Sequence, residues 1–165
     1  RERRTYHKQT AEAIEDVYAA DLNSHLEELA YHYFEGMDWS KAIESLQALR
    51  QSDPGYQTVQ VDGFLWVALR SRGIRKIYQE ANLEGGIYDL ALAERFGVID
   101  VEADVARNMA RLYLYGLAFW EVYPEKAVDY FGQVAAAMPN LPPIGTRILC
   151  LGLVNSLLQT YDYTT

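Results

Sequence analysis

The sequence predicts an all-α fold, an α-solenoid of about three antiparallel helix hairpins with flanking helices, and three observations carry that expectation. Apolar residues recur at spacings of three and four, as in Trp39, Ala42, Ile43, Leu46 and Leu49, which gathers them on one face of a helix. Prolines and capping residues cut the chain into stretches of helical length. Small residues return at matched places, Ala42, Gly86 and Ala127, in successive segments. Strand-like alternation is confined to 58–61, just after the turn signal Pro54-Gly55.

Helices are expected at 3–19, 22–36, 39–51, 60–80, 83–96, 101–122, 125–137 and 143–160. Asp38, Asn82 and Asp100 stand where a side-chain oxygen satisfies an orphaned N–H at a helix start. Asp100 is followed by Ala103 where a capping box needs Glu, so only half of that motif is present. Pro54, Pro139 and Pro142-Pro143 close helices, because proline removes a donor and restricts the residue before it. Short links make consecutive helices antiparallel neighbours. One domain is expected over 1–165: an N-terminal helix at 1–21, repeats at 22–54, 60–97 and 101–139, and a C-terminal helix at 143–161.

The repeat is visible residue by residue. Asp38-Trp39-Ser40-Lys41-Ala42-Ile43-Glu44-Ser45-Leu46-Gln47-Ala48-Leu49 is followed by Pro54, and Pro124-Glu125-Lys126-Ala127-Val128-Asp129-Tyr130-Phe131-Gly132-Gln133-Val134 by Pro139. Each frame has Ala, a large apolar residue four later, another apolar residue seven later and proline twelve later. The run from Asn82 to Ala93 follows it with Gly86 in place of Ala and no closing proline. A small residue is needed where two helices of a hairpin approach most closely.

Over about 22–139 this pattern resembles the tetratricopeptide repeat (TPR) family. Leu29-Ala30 and Tyr33 fill the helix-A positions ahead of Ala42, Gly73 and Ile77 those ahead of Gly86, and Leu114, Tyr115 and Gly116, more loosely, those ahead of Ala127. The spacing departs from the family: 44 residues separate Ala42 from Gly86 and 41 separate Gly86 from Ala127, against a period of about 34. Lengthened A helices account for the difference. The segment 4–42, above all His25-Leu26-Glu27-Glu28-Leu29-Ala30-Tyr31-His32-Tyr33, resembles the helical region after the ATPase core of large bacterial signalling ATPases. The segment 82–140 is similar to repeats attached to bacterial membrane-anchored or kinase-linked regulators. Two contexts in one chain imply a chimera or a design.

The resemblance implies a noncatalytic interaction scaffold whose A helices line a groove for a partner peptide or helix. Tyr31, Arg72, Arg75, Tyr78, Arg107 and Arg111 are the expected groove residues, and the arginines imply an acidic or C-terminal peptide. Phe34 and Phe119 extend the aromatic lining, and Ala30, Ala42, Gly73, Gly86 and Ala127 are the expected repeat-packing positions. Glu27 and Tyr31 occupy first-repeat positions where the family's peptide clamp has Lys and Asn, which argues against that clamp's usual ligand.

Composition bounds the remaining readings. With 15 Lys and Arg against 23 Asp and Glu, the 165-residue chain has a formal charge of −8, which opposes nucleic-acid and anionic-membrane binding. One cysteine excludes a disulfide framework and a multi-thiolate metal site. No stretch reaches the roughly 18–20 apolar residues of a membrane span, and Arg1-Glu2-Arg3-Arg4 has no apolar core behind it. A cytoplasmic location is therefore expected, and an excised segment of a longer chain, since position 1 is not Met. Cys150 has no histidine near it in sequence, and His25 and His32 miss the i, i+4 spacing of a zinc pair. No enzyme, metal or cofactor is expected. The segment 144–160 is apolar nearly all round, so a second reading is a structural unit that self-associates there as a homo-oligomer.

Overall fold

The computed structural model describes residues 2–137, which form helices joined by turns, with no strand among them. The helices are α1 (Glu2–Val17), α2 (Leu26–Glu35), α3 (Trp39–Ser52), α4 (Thr58–Tyr78), α5 (Leu83–Ala93), α6 (Val101–Phe119) and α7 (Pro124–Ala137), with a 3-10 turn, Leu22–His25, leading into α2. The all-α expectation therefore holds over the described residues. The strand-like segment 58–61 is the first turn of α4. The expected helix at 143–160, Cys150 and the self-association surface lie outside the described residues.

The capping expectations hold at three helix starts. Asp38 accepts the Lys41 N–H, Asn82 the Gly85 N–H at 3.0 Å and Asp100 the Ala103 N–H at 3.0 Å. At α5 the asparagine lies close over its neighbour: a Cβ at Gly85 would lie 2.7 Å from Asn82 Oδ1, so a larger residue there requires the Asn82 side chain to shift. Pro124 takes the first position of α7, where its missing N–H costs nothing.

The chain divides into two compact units, Arg1–Gly73 with Asp89–Ile99 and Ile74–Tyr88 with Asp100–Thr165. In the first unit, Ile43 and Leu46 from α3 meet Val61, Leu65, Ala68 and Leu69 from α4 in a core that also takes in Ala30 and Ala93. Each fully buried leucine there contributes roughly 1.5–3 kcal/mol. A second cluster, Ala11, Leu29, Tyr33 and Ala42, seats α1 on the α2–α3 hairpin. Polar ties reinforce it: Lys41 Nζ donates to Glu15 at 2.6 Å and to the Tyr33 hydroxyl at 3.0 Å, and Lys8 Nζ to Asp38 at 3.1 Å. Glu15 and then Tyr33 hold the Lys41 pKa above its ordinary value, while burial raises that of Tyr33. In the second unit, Ala127, Phe131 and Val134 of α7 pack against Met109, Leu112 and Tyr113 of α6.

Candidate functional site

The first unit holds a cleft of about 510 Å³, within the range of roughly 300–1,000 Å³ typical of ligand pockets. One wall is α2, which contributes Glu27, Glu28, Ala30, Tyr31, Phe34 and Glu35. The other is the start of α4 and the turn before it, with Tyr56, Gln57, Gln60, Val61 and Phe64. Leu46 and Leu49 of α3 lie between them. This arrangement follows from helical periodicity: Leu46 and Leu49 are three apart on α3, and Ala30 and Phe34 four apart on α2, so each pair presents one face.

The cleft has two chemical zones. Its interior is apolar and aromatic, with Phe34 and Phe64 in an edge-to-face contact at 4.8 Å between ring centroids. Its rim is acidic. Glu27 accepts a hydrogen bond from the Tyr56 hydroxyl, which keeps the phenol pKa above its usual value. Glu28 Oε2 lies 2.8 Å from His25 Nδ1, and Glu35 receives the Arg3 guanidinium at 3.0 Å. His32 also lines the cleft, and its Nδ1 is 2.9 Å from that of His7 on α1. Burial first, then His7, lowers the His32 pKa, partly opposed by Glu28. Its neutral form is therefore favoured, which limits how far it offsets the rim carboxylates.

The expected groove residues fall in both units. Tyr31 stands on the cleft, 51 % exposed, packed edge-on against His7 and His32. Arg72, in the same unit, makes a two-pronged ion pair with Asp89: Nε donates to Oδ2 at 2.7 Å and Nη2 to Oδ1 at 2.8 Å. The side chains of Arg72 and Asp89 are 17 % and 1 % exposed, so this pair belongs to the interior. In the second unit, Arg75 Nε donates to Glu80 at 2.9 Å and Arg107 Nη2 to Asp104 at 2.8 Å, while Arg111 is exposed on α6. Tyr78 is half-buried, and burial followed by Glu102 raises its pKa. Phe119 stacks on Tyr130 at 5.7 Å.

All five expected packing positions, Ala30, Ala42, Gly73, Gly86 and Ala127, are buried. So are the large residues four places after the three small ones of the repeat frame, Leu46, Leu90 and Phe131. Sequence reasoning did not single out Asp89, Tyr56, Gln60 or Phe64. Only Asp89 had a readable signal, a lone acid between Ile87 and Leu90 in an otherwise apolar stretch. Among the described residues, no group of three or more His, Cys, Asp or Glu side chains is placed to hold a metal ion. No helix among them is long and apolar enough to cross a membrane. No family model, curated protein or solved structure matches this chain.

Proposed function

We propose that this chain is a noncatalytic protein-interaction scaffold of tetratricopeptide-like hairpins that binds a partner peptide in the α2–α4 cleft. In this reading α2 and α4 act as A helices of successive repeats and α3 as the B helix between them. The single observation that carries it is the roughly 510 Å³ cleft, with an apolar interior and exposed aromatic and polar residues at its mouth. The regular burial of a small residue and a large one four places later, in three consecutive frames, supports the repeat assignment. A rigid helical array presents side chains at fixed separations, so the peptide bears most of the ordering cost.

The test is selection of binders from a random peptide library on the whole chain, followed by binding to Tyr31→Ala and Gln60→Arg variants. Both positions are exposed at the cleft, so helicity by circular dichroism is expected to be unchanged. Enriched peptides that lose about tenfold or more in affinity on these changes support the reading. An empty selection, or binders indifferent to both substitutions, sinks it.

A further inference from the structure

We infer that the peptide taken by the α2–α4 cleft is cationic, with a bulky apolar side chain for the interior and Lys or Arg on either side of it. This rests on the reading of the cleft as a peptide site and adds the chemistry of the guest. The argument begins with charge. Glu27, Glu28 and Glu35 line the cleft along α2, and among the described residues no lysine or arginine lines it. The Arg3 that meets Glu35 comes from α1 with its side chain 76 % exposed, so the pair is screened and an incoming cation can replace it. Tyr56 bonds Glu27 through a neutral hydroxyl and leaves the negative charge in place.

Spacing adds direction. Glu27, Glu28 and Glu35 are separated by up to eight residues on one helix, a rise of about 12 Å at 1.5 Å per residue. A guest lying along α2 therefore meets a carboxylate at each end of the cleft and apolar surface between. Leu46, Leu49 and Val61 supply that surface, and the faces of Tyr31 and Phe64 attract a cation as well as an apolar group. An acidic guest meets the opposite: desolvated carboxylates against carboxylates, which costs affinity.

Three peptides of equal length, each with a central Trp flanked by Lys, Gln or Glu, test this by fluorescence anisotropy on the whole chain. At about 25 mM salt the Lys peptide is expected to bind about tenfold more tightly than the Gln peptide, and the Glu peptide most weakly. The Lys advantage should shrink at about 300 mM salt and disappear in the Glu27→Gln, Glu28→Gln, Glu35→Gln triple variant, where the ratio of Lys-peptide to Gln-peptide affinity falls to about one. Equal binding of Lys and Gln peptides, or a preference for Glu, overturns the inference and leaves the peptide site standing. If none of the three binds while library-selected peptides do, the inference also fails. If neither set binds, the underlying reading fails with it. Sedimentation of the protein alone gives a further check: a dimer dissociated by Gln60→Arg makes a second copy the occupant and overturns the cationic guest.

Discussion

Gly116 shows how far one hydrogen atom can matter. A Cβ built there would lie 2.5 Å from the ring of Phe131, which is fully buried between α6 and α7. The ring has nowhere to go without displacing Tyr113 or Trp120, which pack against it. Gly116→Ala is therefore expected to cost about 1–3 kcal/mol despite the better helix propensity of alanine. A denaturant midpoint equal to that of the parent would show that the ring moves freely. Arg72 and Asp89 make the opposite point, that a buried charge is held by its partner. Asp89→Ala leaves the guanidinium unanswered in the interior and should cost about 3 kcal/mol or more. The double change Arg72→Met, Asp89→Leu should recover most of that, because the desolvation penalty goes with the charges. Equal losses in the single and double variants would contradict this account.

At the scale of the element, α1 is attached by a small apolar cluster and by polar contacts. Ala11 is its one residue fully buried among the described ones, and the His7–His32 contact joins it to α2. With Nδ1 atoms 2.9 Å apart, one ring donates and the other accepts, an arrangement that requires an unprotonated Nδ1. The folded-state pKa of His32 lies below its unfolded value of 6.5, through burial first and then His7. The unfolded chain thus binds a proton more readily, and stability falls with falling pH. The contribution is complete above about pH 6.5 and is lost progressively as pH drops below it. The neighbouring charge of Glu28 opposes the shift and moderates the effect. A melting temperature lower at pH 5 than at pH 7.5, with a flatter profile in His32→Gln, is the expected result. Parallel profiles would remove the histidine pair as the cause.

For the molecule as a whole, the helices themselves were largely legible. Asp38, Asn82 and Asp100 marked starts correctly because capping is a local contest between one side chain and one backbone N–H. Helix ends were less legible: α4 stops at Tyr78 and α6 at Phe119, short of the expected 80 and 122. Past Phe119 the apolar residues Trp120 and Val122 continue the stripe, whereas after Tyr78 the backbone leaves the helix with Ala81 in a left-handed conformation before the Asn82 cap. Among the candidate binding residues, Tyr31 is expected as part of an aromatic lining, and it stands exposed on the cleft. Arg72 is expected at the groove because it shares a cationic helix face with Arg75, and nothing local reveals an acid 17 residues away.

Sequence alone determined the helices, their caps and the apolar stripes, because each depends on residues within a turn or two of one another. It also determined the formal charge of −8. Tertiary structure alone decided that Glu27, Tyr56 and Leu49 share one cleft and that Arg72 meets Asp89. Those juxtapositions depend on which helix faces pack together, and a periodic stripe records that a face is apolar without recording its neighbour.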